Sequence, residues 1–90
     1  MSNLMDKPPE VSVVLLACNH ARYIAQSIES VLQQANDAHI EILIGDDAST
    51  DGTSEIVAAY AVAYPRLIQH IRRFERIGGS ANYIDLLVRA

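Results

Sequence analysis

Apolar and polar positions along this 90-residue chain fall into blocks whose period changes from block to block. Val11 to Ala17 is almost continuously apolar and β-branched at its start, which predicts a strand covered on both faces, as in a parallel sheet flanked by helices. From Arg22 to Gln34 the period becomes helical: Ile24, Ile28, Val31 and Leu32 recur at i, i+4, i+7 and i+8 and give one apolar stripe. Asn19 or His20 would cap that helix, Asn19 being the better capping residue. Ala35 to His39 reads as a loop, and Ile40 to Gly45 as a second buried strand. Glu55 to Tyr64 is helical again, with Ile56, Val57, Tyr60, Ala61 and Tyr64 as its stripe and Pro65 as its stop. Leu67 to Ile71 alternates and predicts a weaker third strand. Arg72 to Gly79 is a loop, and Ser80 would cap a last helix through Arg89 with Ile84, Leu87 and Val88 as its stripe.

The order β-α-β-α-β-α predicts an α/β, Rossmann-like, three-layer arrangement, half of a doubly wound sheet. The expected parallel order is 3-2-1, which leaves Val11 to Ala17 on an edge that a later strand would cover. An open apolar edge recruits other chains, so self-association is expected. Met1 to Glu10 is polar, contains Pro8-Pro9 and reads as a flexible lead-in to a domain over residues 11–90. The chain runs out in a helix with no terminating Gly or Pro, the reading expected of a truncated domain.

The chemistry concentrates after the second strand. Asp46 and Asp47 are adjacent, and Ser49, Thr50, Asp51 and Gly52 follow as a turn. Open α/β sheets bind ligands outside the carboxyl ends of their strands, so both carboxylates are expected at that edge, pointing into a crevice and not into the core. Two adjacent carboxylates repel unless a cation, an N–H donor or water satisfies them. The alternative reading is a solvated turn that helps cap the next helix. Ser49 and Asp51 are accounted for by turn hydrogen bonds and a cap, with the Asp51 carboxylate accepting from the N–H of Thr53 or Ser54. Gly78-Gly79 would cradle a phosphate at a helix start or simply form a loop. Arg72, Arg73 and Arg76 would meet a diphosphate or form a solvated cationic loop.

Composition narrows this picture. The formal charge of −4 argues against general nucleic-acid binding, although arginines crowd the last third. The single cysteine, Cys18, has no internal partner, so a reducing compartment is the default, and as a lone residue at a strand end it reads as a small hydrophobe ahead of a nucleophile. His20, His39 and His70 lack metal-ligand spacing and read as surface or capping residues. No apolar run approaches the roughly 18 residues of a membrane span. The expected location is cytoplasmic, with the inner membrane face open to it.

Three stretches resemble the N-terminal half of the family 2 glycosyltransferases, which have the GT-A fold. Val11-Ser12-Val13-Val14-Leu15-Leu16-Ala17-Cys18-Asn19 resembles the family's opening strand, V-S-V-V-I-P-x-Y-N. Tyr23 and Ser27 to Gln34 resemble its first helix. Glu41 to Thr53 resembles E-I-I-V-V-D-D-x-S-x-D-G-T almost residue for residue. A fourth stretch, Ile77-Gly78-Gly79-Ser80-Ala81-Asn82-Tyr83, is similar to N-x-G-G-x-x-N-[FY]. The resemblance implies a nucleotide-sugar donor, a UDP- or dTDP-sugar, and a divalent metal (Mg²⁺ or Mn²⁺) in the complete enzyme. It implies that Asp47 accepts from the base N3–H, that Asp46 orients the turn, and that Leu16, Ala17, Cys18 and Asn19 line the base pocket. Arg76, Gly78 and Gly79 are the candidate diphosphate contacts. Leu16 stands where the family has Pro, Cys18 where it has an aromatic residue, and Arg76 where it has Asn.

The family's metal-binding Asp segment and acceptor-side base would follow the last residue here. The expectation is therefore a donor-binding part of a glycosyltransferase in bacterial cell-surface polysaccharide synthesis, with no catalytic and no metal residue of its own and an unknown acceptor. Two alternatives belong to other classes. One is a degenerate binding or interaction domain. The other is a receiver-like signalling module, although such modules place their acidic pair after the first strand and a phosphoacceptor Asp after the third.

Overall fold

The structure is a computed structural model and describes residues 9, 11–34 and 39–90. The lead-in expected over 1–10 and the loop expected over 35–39 fall largely outside the described residues. Six elements follow in order: β1 (Val11–Ala17), α1 (Ile24–Gln34), β2 (Ile40–Asp47), α2 (Thr53–Ala63), β3 (Ile68–Arg73) and α3 (Gly79–Arg89). The three strands form one parallel sheet with β2 in the centre and β1 and β3 on the edges. This is the expected order.

Side chains alternate across a strand, so β2 serves both faces. Ile42 and Ile44 are fully buried on one face, in a core with Ile24 and Ile28 of α1, Val57 of α2 and Ile68 of β3. Val13 and Leu15 of β1 pair in register with Ile42 and Ile44 and pack against that core. The other face carries Leu43 and Gly45, and α3 lies there with Leu86 fully buried. The layers are therefore α1 and α2, sheet, α3.

The departures from expectation have physical reasons. β1 is less covered than its composition implies: Val11 and Leu16 are exposed and only Ala17 is buried. An edge strand has a neighbour on one side only. α1 begins at Ile24 and not at Arg22, because the His20 carbonyl accepts from both Tyr23 N–H (2.9 Å) and Ile24 N–H (2.8 Å) and closes a turn first. β2 runs on through both aspartates, since the ladder continues with Asp46 opposite Ala17 and Arg72, and Asp47 opposite Arg73. α3 starts at Gly79 after Gly78 at φ 90°, so Ser80 lies inside the first turn and does not cap it. The stripe of α3 is also different. Ile84, Leu87 and Val88 are exposed, and Asn82 and Leu86 are the buried pair at i, i+4.

Candidate functional site

The carboxyl ends of β1 and β2 are sewn together by short polar side chains. Asn19 adopts φ 55°, a left-handed conformation that Asn tolerates better than most residues. Its N–H donates to Ser49 Oγ (3.0 Å), and its Oδ1 accepts from the Thr50 N–H (2.8 Å). The His20 N–H donates to Thr53 Oγ1 (2.9 Å), and the Ala21 N–H to Asp51 Oδ2 (3.0 Å). The Cys18 thiol reaches the Asp47 carbonyl at 3.4 Å. Asn19 and His20 therefore do not cap α1; they bridge to the turn after β2.

Asp51 behaves as expected and does more. Oδ1 accepts from the Thr53 N–H (3.1 Å) and hydroxyl (2.5 Å), while Oδ2 holds Ala21. Gly52, at φ 97°, occupies the capping position itself. The Thr53 hydroxyl, joined by the Ala21 and Thr53 N–H groups, holds the Asp51 carboxyl below its ordinary range against the opposing effect of desolvation.

The aspartate pair is buried, and not open to a crevice as the sequence suggested: Asp46 is 0% and Asp47 3% exposed. Adjacent strand residues face opposite ways, and the two carboxylates are satisfied on different sides. Asp46 accepts from the Ser49 N–H (3.2 Å) and the Ser54 hydroxyl, and lies 3.5 Å from His70 Nε2. Burial alone would raise its pKa, but the bonds from Ser49, Ser54 and His70 outweigh that and hold the carboxyl below its ordinary value. Asp47 accepts from two loop amides, Ile77 N–H at Oδ1 (2.7 Å) and Gly78 N–H at Oδ2 (2.9 Å). The expected repulsion is thus answered by protein donors.

The other candidates are placed as follows. Leu16 lines a groove of about 320 Å³ with Leu15, His20, Tyr23, Ile24 and Ser27, next to the open edge of β1; Ala17, Cys18, Asp46 and Asp47 do not line it. Arg76 is exposed, and so is Gly79 at the start of α3. The Gly78 N–H is already donated to Asp47, which leaves it unsuited to cradle a phosphate. Arg73 is not a solvated cation: its guanidinium lies against Asp85 Oδ2 (2.7 Å) and Asn82 Oδ1 (3.0 Å). His70 is not a surface residue but a neighbour of Asp46. Among the described residues no group of three or more His, Cys, Asp or Glu side chains is placed to hold a metal ion.

Sequence reasoning missed Thr53, Ser54 and Asn82, all at most 2% exposed. Asn82 donates from Nδ2 to the Gly45 carbonyl (2.9 Å). The available signal was Gly45 itself: a glycine in a buried apolar run marks a close approach. A Cβ there would lie 2.1 Å from Asn82 Oδ1.

A parallel sheet in the order β1-β2-β3, helices on both faces and an acidic turn closing the central strand make up a Rossmann-like half of the GT-A glycosyltransferase fold. The chain belongs to glycosyltransferase family 2: the family described as "Glycosyl transferase family 2" matches residues 12–89. It is 40% identical over 82 residues to the "Putative glycosyltransferase EpsE" of Bacillus subtilis, covering 88% of this chain and 29% of that protein. It is 38% identical over 78 residues to the "Succinoglycan biosynthesis protein ExoO" of Rhizobium meliloti, covering 87% and 22%. Among solved structures, the mannosyltransferase PcManGT from Pyrobaculum calidifontis, in complex with GDP-Man and Mn²⁺, superposes with a TM-score of 0.78 at 27% identity, covering 96% of this chain and 26% of that one. The chain thus spans about a quarter of the length of these relatives. Family membership sets the receiver-like reading aside. Among the described residues no helix is long and apolar enough to cross a membrane.

Proposed function

We propose that this chain is the part of a family 2 glycosyltransferase that binds the nucleotide-sugar donor, in an enzyme of cell-surface polysaccharide synthesis working at the cytoplasmic face. The observation that carries the proposal is the sewn junction of the β1 and β2 ends, with a buried carboxylate pair at the carboxyl edge of a parallel sheet. The similarity to a mannosyltransferase solved with GDP-Man and to a succinoglycan biosynthesis protein supports the donor class and the pathway class.

In this reading Leu16, Ala17, Cys18 and Asn19 border the base, Asp46 holds the turn, and Asp47 accepts from a base N–H. Asp47 has the capacity: a carboxylate offers about four lone-pair sites, and the loop amides occupy two. Arg76 stands exposed on the same loop and would meet the diphosphate; Gly78 is withdrawn from that role. A divalent metal would take its ligands from other parts of the complete enzyme and would supply charge neutralisation for the leaving diphosphate. The 90-residue chain by itself is expected to bind nucleotide without transferring sugar.

Calorimetric titration of the chain with UDP, dTDP and GDP, each with and without Mn²⁺, tests the proposal. Saturable binding of one diphosphate, weakened in Asp47→Ala with an unchanged fold, supports it. No binding of any diphosphate at millimolar concentration favours the alternative of a non-catalytic interaction domain.

A further inference from the structure

Three hydrogen bonds at two anchor points, Asp47 and Gly45, fasten the segment 77–82 to the end of β2. At the first end, Asp47 takes the Ile77 and Gly78 amides. At the second, Asn82 Nδ2 donates to the Gly45 carbonyl. Residues 45 and 47 are two apart on a strand and so share a face. Asn82 is 1% exposed, and its Oδ1 accepts from Arg73 Nη2 on β3, whose charge Asp85 of α3 answers at 2.7 Å. One carboxamide therefore ties α3 to both β2 and β3.

The fit is close. A Cβ on residue 45 would come within 2.1 Å of Asn82 Oδ1, 2.9 Å of its Cγ and 2.9 Å of Leu86 Cδ1. Gly45 is not in the left-handed region, so its role is spatial and not conformational. It lets α3 descend far enough for Asn82 to reach the carbonyl.

We infer that Asn82 is a positioning residue for the nucleotide-facing end of β2: acting through the Gly45 carbonyl, it sets the depth of α3 so that the Ile77 and Gly78 amides meet Asp47 and fix the direction of its carboxylate. The two fastenings form a closed circuit from Gly45 through Asp47, Ile77 and Gly78 to Asn82 and back. Opening it at Asn82 releases the loop from Asp47. This inference rests on the reading above for its effect on nucleotide, but not for its effect on the loop.

The experiment measures amide hydrogen exchange at Ile77 and Gly78, with Ile42 and Ile44 as internal references, in the full chain and its variants. In Asn82→Ala the two loop amides should exchange at least about tenfold faster while the references keep their protection, as a local opening does. Unchanged protection at Ile77 and Gly78 overturns the inference. A packing role is separated from a positioning role by a double variant. Gly45→Ala alone forces Asn82 out and lowers the melting temperature; Gly45→Ala with Asn82→Ala relieves the clash with Asn82, leaving the flexible end of Leu86 to give way, and recovers part of it. Positioning requires the loop amides to stay fast in the double variant. Recovery of their protection together with the melting temperature means that Asn82 only fills space, and overturns the inference.

UDP and GDP titrations complete the test. Where the wild-type chain binds either, Asn82→Ala should weaken it about tenfold, as loss of one oriented hydrogen bond would; equal or tighter binding overturns the link to the site. Should the wild-type chain bind neither of these nor dTDP, the donor-binding reading fails, and the exchange data alone decide the inference.

Discussion

Asp46 offers the sharpest test of how the site is built, because it is fully buried and hydrogen-bonded to Ser49 and Ser54. Replacing it with Ala removes the acceptor of the Ser49 N–H and of the Ser54 hydroxyl, and Ser54 is itself 2% exposed. A hydrogen bond to a charged group contributes roughly 1.5–3 kcal/mol, and a buried donor left unpaired costs about 1–3 kcal/mol. Two such bonds, with some relaxation of the turn, put the cost of Asp46→Ala at about 3–5 kcal/mol, against a typical total stability of about 5–15 kcal/mol. Asp46→Asn keeps the shape and one acceptor, and should cost about 1–2 kcal/mol.

Urea denaturation measures both. With a slope of about 1–1.5 kcal/mol/M for a chain this small, Asp46→Ala should lower the midpoint by about 2 M or more. The pH dependence gives an independent check of sign. The folded carboxyl lies below its ordinary value, so its contribution is fully present above about pH 4 and is lost as pH falls through the folded value. Asp46→Asn should therefore flatten the acid limb of the stability curve, leaving what Asp51 and Asp85 contribute, since those carboxyls are lowered as well. A loss below about 1 kcal/mol in Asp46→Ala, or an unchanged acid limb in Asp46→Asn, would show that the hydrogen bonds of Asp46 do not hold the turn.

The remaining predictions separate nucleotide from fold. Asp47→Ala should weaken diphosphate binding by about one to two decades in calorimetric titration, and Asp47→Asn by less, since the amide keeps an acceptor. Asp51→Ala should lower the melting temperature by freeing Thr53 and Ala21, with little effect on nucleotide affinity; the opposite pattern between Asp47 and Asp51 would place the pocket on the wrong side of the turn. The exposed edge of β1, with Val11 and Leu16 in the open, should drive concentration-dependent association in light scattering, and Leu16→Lys should suppress it. A monomer at all concentrations in the wild-type chain would show that the edge is not adhesive.

Much of the architecture was legible in the linear pattern. The periods that separate strand from helix depend only on neighbours in the chain, and so do the apolar runs of β1 and β2 and the acidic turn between β2 and α2. Those signals gave six elements in the right order and the parallel sheet. The Asp51 bond to the Thr53 N–H was readable for the same reason: donor and acceptor are two residues apart. Everything that depended on which face meets which partner was decided by the tertiary structure. The stripe Ile84, Leu87 and Val88 is as apolar as a buried one, yet α3 turns Asn82 and Leu86 inward, because Gly45 leaves a place for the carboxamide and Arg73 supplies its second partner. Asp46 and Asp47 looked alike in sequence and turned out to serve opposite sides of one strand, one bound to Ser49 and Ser54, the other to a loop 30 residues away. A hydrogen bond over that distance leaves no periodic trace in the sequence. It exists only once the sheet has brought the ends of β2 and β3 side by side.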